Sequence, residues 1–383
     1  MGQISDPRTK SLDRSMYNRS TRSDPQPSGT KGVGVKTFNE AFQWLLEPLR
    51  PQKRPHALLG NGFSMALDPS RFSYSALATA AEADDLLPAD AINIMQKTST
   101  VDFEKVIRQL EDTAHTLKIL AASNTVDIVA RLLKSSASLR EALAQSIAGL
   151  HPDRPYDIEQ SRYISTRDFL NRFDHVFTVN YDLLLYWSIM QDLPGHSDKE
   201  RDDGFRDSGV DGDETVLWDI YSNFSQTVFY LHGALHLFLG TDGLRKITWK
   251  RTDIALIDQV RQQLKEGRFP LYVAEGDAES KLDKINRSAY LSRGLRSLTQ
   301  CGGSLLIYGH SLAKNDAHIF QAVVRGKYKR AAISIYGDPN SDDNKEIMRR
   351  ARGLVADRSV YSSTNPLEVE FFNAAEVRLW KPA

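Results

Sequence analysis

Short apolar runs alternate with longer amphipathic stretches along most of this 383-residue sequence. The runs have the length and composition of buried strands, and they lie at residues 56–60, 175–179, 228–231, 270–274, 304–308, 332–336 and 369–372. Amphipathic segments separate most of them, for example at 289–298 and 315–324. Because a strand that is apolar throughout must be covered on both faces, the alternation predicts an α/β fold with a doubly wound, mostly parallel Rossmann-like sheet.

One long stretch interrupts the alternation. From about residue 84 to 165 the apolar residues recur at helical spacing, and one apolar stripe begins directly after residues 99–102, which resemble a capping box. We predict that this stretch is an inserted helical layer or subdomain within a domain that spans residues 36–383. Residues 196–216 are acidic and contain glycines, which predicts a surface loop.

The charge balance and the single cysteine exclude several classes of protein. Lysine plus arginine and aspartate plus glutamate are equal at 49 each, so no net field draws the whole chain to nucleic acid or to an anionic membrane. Cys301 is the only cysteine, which excludes an internal disulfide and any zinc site made of several cysteines. No apolar run reaches the length of about 20 residues that spans a bilayer. We expect a cytoplasmic protein, and we predict that the polar residues 1–35 form a flexible, mildly basic tail.

Polar residues follow four of the apolar runs, at the positions where an open α/β sheet binds its ligands. Residues 60–64, Gly-Asn-Gly-Phe-Ser, follow the first run. Glycines there let the backbone approach a pyrophosphate, and the same pattern also fits a plain tight turn. Residues 178–182, Thr-Val-Asn-Tyr-Asp, follow the second run, where short polar side chains can reach a ribose or an amide, or else cap a helix.

Histidines stand in the other two clusters. His232 precedes Gly233 at the end of an aromatic run, and an imidazole there suits proton transfer near neutral pH. His236 lies at helical spacing from His232, which suggests a shared metal, but Gly233 weakens a helix and no acidic residue lies between the two histidines as in zinc proteases. The last cluster is residues 309–312 followed by Asp316, which taken alone also fits a strand-to-helix turn.

Taken in order along the chain, the four clusters resemble the motif series of the sirtuin superfamily. The resemblance extends from about residue 56 to the C-terminus. In particular, the chain resembles the sirtuin-like proteins of bacterial antiphage defence loci, on the evidence of the segments at 102–104, 180–182, 203–205 and 309–311.

The resemblance implies NAD as the ligand and gives roles to matching positions. Asn180 would face the nicotinamide ribose and position a water, and His232 would be the catalytic histidine, accepting a proton from the ribose hydroxyls or from the water. Asp182 would lie near the nicotinamide carboxamide and Ser311 near the adenosine half. The other positions implied to bind NAD are Gly60, Asn61, Gly62, Ser64, Thr178 and Gly309.

One departure from the family bears on the reaction. Deacylase sirtuins carry a four-cysteine zinc module after the catalytic histidine, whereas residues 234–308 contain only Cys301. We therefore expect no zinc or other metal and no protein deacylation. The expected reaction is hydrolysis of NAD, as a substrate, at the nicotinamide ribosyl bond to give nicotinamide and ADP-ribose.

The resemblance also implies a biological setting. An NAD glycohydrolase of this kind would deplete NAD in antiphage defence by abortive infection. We expect the activity to be controlled by assembly, as a homo-oligomer and with a HerA-type ATPase or another sensor protein encoded nearby. Contact with nucleic acid would then be only indirect, through such a partner. Two alternatives remain open. One is a subunit that senses NAD or a related nucleotide without turnover, and the other is an interaction subunit of a nucleic-acid motor or an Argonaute-like protein.

Overall fold

The computed structural model describes residues 34–120, 125–196, 199–210, 213–221, 225–248 and 252–382. The predicted tail at residues 1–35 lies outside these ranges apart from its last two residues. Residues Val35–Ala383 form a single compact unit.

Helices are the most abundant regular elements of the described chain. They are α1 (Phe38–Leu46), α2 (Gly62–Met65), α3 (Pro69–Phe72), α4 (Tyr74–Ala83), α5 (Ala89–Thr98), α6 (Phe103–Leu120), α7 (Val126–Leu150), α8 (Gln160–Leu170), α9 (Leu184–Met190), α10 (Leu256–Lys265), α11 (Ala278–Arg287), α12 (Ala289–Gln300), α13 (Ala317–Arg325) and α14 (Asp342–Tyr361). Short 3-10 turns lie at Pro155–Asp157, Lys314–Asp316 and Ala374–Glu376. None of the described helices is both long enough and apolar enough to cross a lipid bilayer.

The strands form two sheets. They are β1 (His56–Leu59), β2 (Val176–Thr178), β3 (Phe205–Asp207), β4 (Thr215–Trp218), β5 (Val228–Tyr230), β6 (Leu237–Leu239), β7 (Leu244–Ile247), β8 (Gly302–Tyr308), β9 (Lys327–Ile335) and β10 (Glu368–Asn373). The larger sheet is parallel throughout and has the order β10-β9-β8-β1-β2-β5. The chain therefore runs outward from β1 to β5, returns to place β8 on the other side of β1, and continues to β10. This is the strand order of a Rossmann sheet, which confirms the predicted fold class.

Both faces of the larger sheet are buried. In β1, Ala57 and Leu59 face one hydrophobic core, whereas Leu58 faces the other. Helices α12, α13 and α14 cover the second face through residues such as Leu298, Ile319 and Met348. Because both faces are apolar, the polar side chains that could take part in catalysis lie at the ends of the strands.

A run of helices separates β1 from β2, and residues 84–165 of the predicted insertion contain α5, α6 and α7. The predicted capping box at 99–102 is wrong in detail. Ser99 is the left-handed C-cap of α5, with a φ of 52°. Asp102 alone caps α6, because its Oδ1 accepts the Lys105 N–H at 3.2 Å.

Of two further predictions, the surface loop at 196–216 holds only in part and the strand at 270–274 is wrong. The stretch at 196–216 contains β3 and the start of β4, which join β6 and β7 in an antiparallel sheet of order β3-β4-β7-β6. Strands of three or four residues are too short to show a clear period of two in the sequence. Residues 270–274 do not form a strand, since their described pairing is one isolated bridge between Tyr272 and Gly233.

Candidate active site

The carboxyl ends of β1, β2, β5 and β8 meet at one edge of the larger sheet, around the switch point between β1 and β8. The loops after β1 and β8 are in backbone contact there, since the Gly60 N–H donates to the Tyr308 carbonyl and the Gly62 N–H to the Gly309 carbonyl, each at 2.9 Å. A Cβ atom on Gly62 would lie 2.4 Å from the Gly309 Cα, and Gly309 has a φ of +66°. The glycines are thus needed because the two loops approach each other closely. The amides of Gly60 and Gly62, which were predicted to bind phosphate, already donate to carbonyl groups of the protein.

Ser64, Asn180 and Asp182 form a buried hydrogen-bonded set. The Ser64 Oγ donates to Asp182 Oδ2 at 2.5 Å, and the Asn180 Nδ2 donates to Ser64 Oγ at 2.9 Å. The Leu184 N–H donates to Asp182 Oδ1 at 2.9 Å, so this carboxylate also begins α9. The Asn180 N–H donates to Thr178 Oγ1 at 3.1 Å and fixes the turn after β2. The loops after β1 and β2 are therefore tied together, and Ser64 orients the Asn180 amide.

Two other predicted residues lie apart from this set. The Asn61 Nδ2 donates to a backbone carbonyl at the end of α3, at 3.0 Å. Ser311 is exposed, and its carbonyl accepts a hydrogen bond from Arg350 at 3.0 Å. Its neighbour His310 is buried instead, and His310 Nδ1 accepts the Leu312 N–H at 2.9 Å. The loop after β8 thus turns the histidine, rather than the serine, towards the site.

His232 is the second residue after β5 and lies in a loop that backbone hydrogen bonds hold in place. Its carbonyl accepts the Val273 N–H at 2.8 Å. Gly233 has a φ of +77°, and a Cβ atom there would lie 1.9 Å from the Leu271 carbonyl oxygen, so only glycine fits. The His232 side chain is 2% exposed.

A buried ion cluster lies next to His232. Lys281, on α11, has no exposed surface, and its ammonium lies 2.6 Å from Glu104 Oε2 and 2.8 Å from Asp316 Oδ1. The Tyr181 hydroxyl lies 2.9 Å from Glu104 Oε1, on α6, and 2.6 Å from the Val273 carbonyl oxygen, and its one proton is shared between these acceptors. The Tyr181 ring in turn stacks on the His232 ring, with centroids 6.5 Å apart. Tyr181 therefore links the loop after β2 to His232, and the long helical stretch supplies a carboxylate to the site.

Three histidines surround Asp316. His232 Nε2 lies 2.9 Å from His318 Nε2 and 3.9 Å from Asp316 Oδ1, and His310 Nε2 lies 3.2 Å from Asp316 Oδ2. The side chains of His232, Asp316 and His318 are close enough together to hold a metal ion. However, the Lys281 ammonium already lies on the carboxylate oxygen that such an ion would use, and two cations repel each other there. The cluster therefore fits proton transfer better than metal binding.

The family model described as Domain of unknown function (DUF4917) matches residues 57–380, which include this whole edge. The chain belongs to the DUF4917 family. No curated protein matches the sequence.

Three solved structures are similar to this DUF4917 chain. They are described as "Structural Basis for the Mechanism and Regulation of Sir2 Enzymes", "Structure of Sir2Tm bound to a propionylated peptide" and "The Structural basis for Sirtuin Substrate affinity". Their sequence identities are 12%, 12% and 11%, and their TM-scores are 0.28, 0.31 and 0.30. The alignments cover 84%, 83% and 84% of this chain and 98%, 99% and 98% of the others.

Burial keeps the catalytic histidine proposed for this DUF4917 chain neutral. The pKa of His232 lies well below its ordinary 6.5, first because the ring is buried and second because Lys281 is close. Burial opposes the charge of Asp316, but Lys281 and His310 outweigh it and hold the pKa of this carboxyl well below its usual range. Burial raises the pKa of Glu104, an effect that Lys281 partly offsets. A neutral imidazole thus lies near an ionised carboxylate, an arrangement that can accept a proton and stabilise the resulting cation.

Three side chains of this cluster are not among the predicted site residues: Glu104, Lys281 and His318. A signal existed for Glu104, because the segment at 102–104 contributed to the family resemblance. Lys281 gave no signal, since a lysine on an amphipathic helix normally faces solvent. His318 lies two residues after Asp316, within the first turn of α13.

The suggested metal pair of His232 and His236 does not form. His236 packs against the rings of Tyr186 and Tyr230, with centroids 4.8 and 5.2 Å away, and not against His232. Among the described residues neither of its ring nitrogens has a hydrogen-bond partner.

A cavity of about 630 Å³ lies beside β5. Its lining includes Arg201, Phe205, Tyr230 and Lys246, at the junction of the two sheets. None of the described residues that line it is a predicted site residue. The predicted residues instead form a closed edge, in which Asn180 is 9% and His232 is 2% exposed.

Proposed function

We propose that this protein is an NAD glycohydrolase that cleaves the nicotinamide ribosyl bond and releases nicotinamide and ADP-ribose. One observation carries the proposal. The Asn180 amide and a neutral, buried His232 follow the adjacent strands β2 and β5, near the switch point where Rossmann sheets bind dinucleotides. The motif series that resembles sirtuins supports the choice of NAD among the dinucleotides.

The chemistry of NAD cleavage fits these groups. As the bond from ribose C1 to the nicotinamide nitrogen breaks, positive charge develops on the ribose and a water oxygen bonds to C1. Asn180 would hold the ribose and the water, and His232 would take the proton from the water or from a ribose hydroxyl. Asp316, 3.9 Å from His232 Nε2, would stabilise the imidazolium.

The buried charges support a developing cation. When Glu104 and Asp316 are both ionised, the single ammonium of Lys281 leaves one net negative charge in the cluster. A fixed charge of that sign stabilises an oxocarbenium-like ribose. Asp182 uses its oxygens on Ser64 and on the start of α9, so we assign it to positioning the Asn180 loop rather than to binding the carboxamide.

Control by assembly is part of the proposal. Because Asn180 and His232 are buried, a dinucleotide reaches them only if the loops at this edge move. We infer that a homo-oligomer or a sensor protein opens the edge during phage infection, which would keep the enzyme from consuming NAD at other times. Size-exclusion chromatography with light scattering tests this point, because a monomer that hydrolyses NAD at full rate alone would contradict it.

Chromatographic analysis of NAD incubated with the protein, alone and with any partner that co-purifies, tests the activity. We expect nicotinamide and ADP-ribose in equal amounts, with the products lost in Asn180→Ala and His232→Ala and kept in His115→Ala, which changes an exposed histidine on α6. Full activity in both site variants would end the assignment. Calorimetric NAD binding without product, in the presence of the partner, would favour nucleotide sensing instead.

A further inference from the structure

A second group of ligand-type side chains lies at the opposite, amino edge of the larger sheet. His56 is the first residue of β1, His175 directly precedes β2, and Cys301 directly precedes β8. These three strands are neighbours in the order β8-β1-β2, so their parallel direction brings the three residues together. Four residues of β1, about 13 Å at about 3.3 Å per residue, separate this group from the candidate active site.

The three side chains face one another. His56 Nδ1 and His175 Nδ1 are 3.1 Å apart, and the Cys301 Sγ lies 4.0 Å from His175 Nδ1. All three ligand atoms lie within 4.8 Å of one another. Bond lengths of about 2.0–2.1 Å to nitrogen and about 2.3 Å to sulfur in a tetrahedral zinc site give edges of about 3.3 Å between nitrogens and about 3.6 Å between nitrogen and sulfur. Small side-chain adjustments therefore convert this triangle into a zinc-binding face.

The chemistry of the three side chains suits a metal, because imidazole nitrogen and thiolate sulfur are the ligands that Zn²⁺ prefers in proteins. The two Nδ1 atoms share one proton across 3.1 Å; when a metal ion takes its place, the ring that carried this proton holds it on Nε2 instead. The neighbouring Asp174 pairs with the Lys199 ammonium at 2.7 Å and is therefore not counted among the ligands.

We propose that His56, His175 and Cys301 bind one Zn²⁺ ion, with water as the fourth ligand. His175 and Cys301 are half-buried, which leaves the ion a path from solvent. Binding displaces the thiol proton of Cys301 to solvent and forms a zinc–sulfur bond, so affinity rises with pH. The ion would join segments that lie 119 and 126 residues apart in the chain and would stabilise the centre of the sheet. The sequence-based expectation of a zinc-free chain considered only cysteine clusters and paired histidines on one helix, whereas this site arises from the fold.

Reloading the full chain with metal, after a chelator has removed any bound ion, tests the proposal. After reloading with zinc and removal of unbound metal by gel filtration, elemental analysis should find equimolar zinc in the wild type. After reloading with Co²⁺, the spectrum should show the near-ultraviolet charge-transfer band of a cobalt–thiolate bond. Cys301→Ser should abolish that band, and Cys301→Ser and His175→Gln should each weaken zinc binding by about tenfold or more. Zinc should also raise the melting temperature of the wild type.

The controls separate this site from other histidines. His115→Gln, which changes an exposed residue, and His318→Gln, at the candidate active site, should both keep equimolar zinc. Circular dichroism in the presence of chelator confirms that each variant is folded. If Cys301→Ser binds zinc as the wild type does, if the cobalt–thiolate band is absent, or if His318→Gln alone loses the zinc, the proposal is wrong and His56 and His175 form only a hydrogen-bonded pair.

Discussion

Replacing Lys281 by methionine should destabilise the fold in a way that depends on pH. The ammonium of Lys281 is the shared counter-ion of Glu104 and Asp316, and its side chain has no exposed surface. Methionine fills much of the same volume but carries no charge. In the variant, Asp316 still has the His310 ring as a partner at 3.2 Å. Glu104 is left with neutral hydrogen-bond donors only.

The expected loss in the free energy of unfolding can be worked out from Glu104. Without Lys281, this carboxylate would take up a proton in the folded state, because a buried charge without a partner is unfavourable. The ordinary pKa of this carboxyl is 4.5, and burial raises the folded value above it. Keeping Glu104 protonated in the folded state lowers the free energy of unfolding by about 1.4 kcal/mol for each pH unit above its ordinary pKa. The loss is therefore up to about 4 kcal/mol at about pH 7.5 and up to about 1.4 kcal/mol at about pH 5.5. Because the folded protein binds a proton that the unfolded chain releases, the loss of stability grows as the pH rises. The larger figure agrees with the cost of about 3–5 kcal/mol for breaking a buried ion pair.

Urea unfolding followed by circular dichroism at both pH values measures the effect. Lys284→Met is the matched control, because it removes a partly exposed lysine from the same helix and should cost less than about 1 kcal/mol. In Lys281→Met/Glu104→Gln the pH-dependent part of the loss should disappear. An equal loss at both pH values, without rescue by Glu104→Gln, would show that Lys281 contributes packing rather than charge.

Four further outcomes are expected. Asn180→Asp should lower NAD turnover by about two orders of magnitude or more while calorimetric NAD affinity changes far less, and normal turnover would reduce Asn180 to a structural role. Burial keeps the pKa of His232 well below 6.5, so nicotinamide release should stay level down to that pH and fall only in more acid buffer; an acid limb centred on 6.5 would argue against His232 as the base. Gly309→Ala should cost more than about 2 kcal/mol in urea unfolding, whereas Gly353→Ala, where the added Cβ meets open space, should be neutral or stabilising. Burial lowers the pKa of His151 to about 4, so the wild type should lose stability as the pH falls from 6.5 towards 4, and His151→Gln should lose less in the same titration.

The parallel sheet could be predicted from the sequence because its signal is local. The apolar run that forms β1 and the glycines after it are visible without tertiary information, and the same holds for β2, β5 and β8. The smaller sheet was missed because β3 is mostly polar and both β3 and β4 are only partly buried, so neither stands out as a buried apolar run, and their pairing comes from tertiary contacts. Asp102 was misread because a capping box and a simple N-cap share the same residue types.

The candidate site was predictable only where polar residues follow a strand directly. Asn180 and His232 stand out in the sequence for that reason. Glu104 and Lys281 are 177 residues apart, and each one alone looks like part of a solvated helix face. Only the fold shows that they form a buried pair beside His232.

The central claim is that this edge of the sheet hydrolyses NAD with water. Incubation with NAD in ¹⁸O-labelled water, followed by mass spectrometry, tests it most directly, with any co-purifying partner present and NAD binding measured on the same samples. We predict free nicotinamide and ADP-ribose that carries one labelled oxygen, formed by the wild type and lost in His232→Ala. NAD that binds but stays intact, or labelled ADP-ribose formed equally well by His232→Ala, would contradict the account.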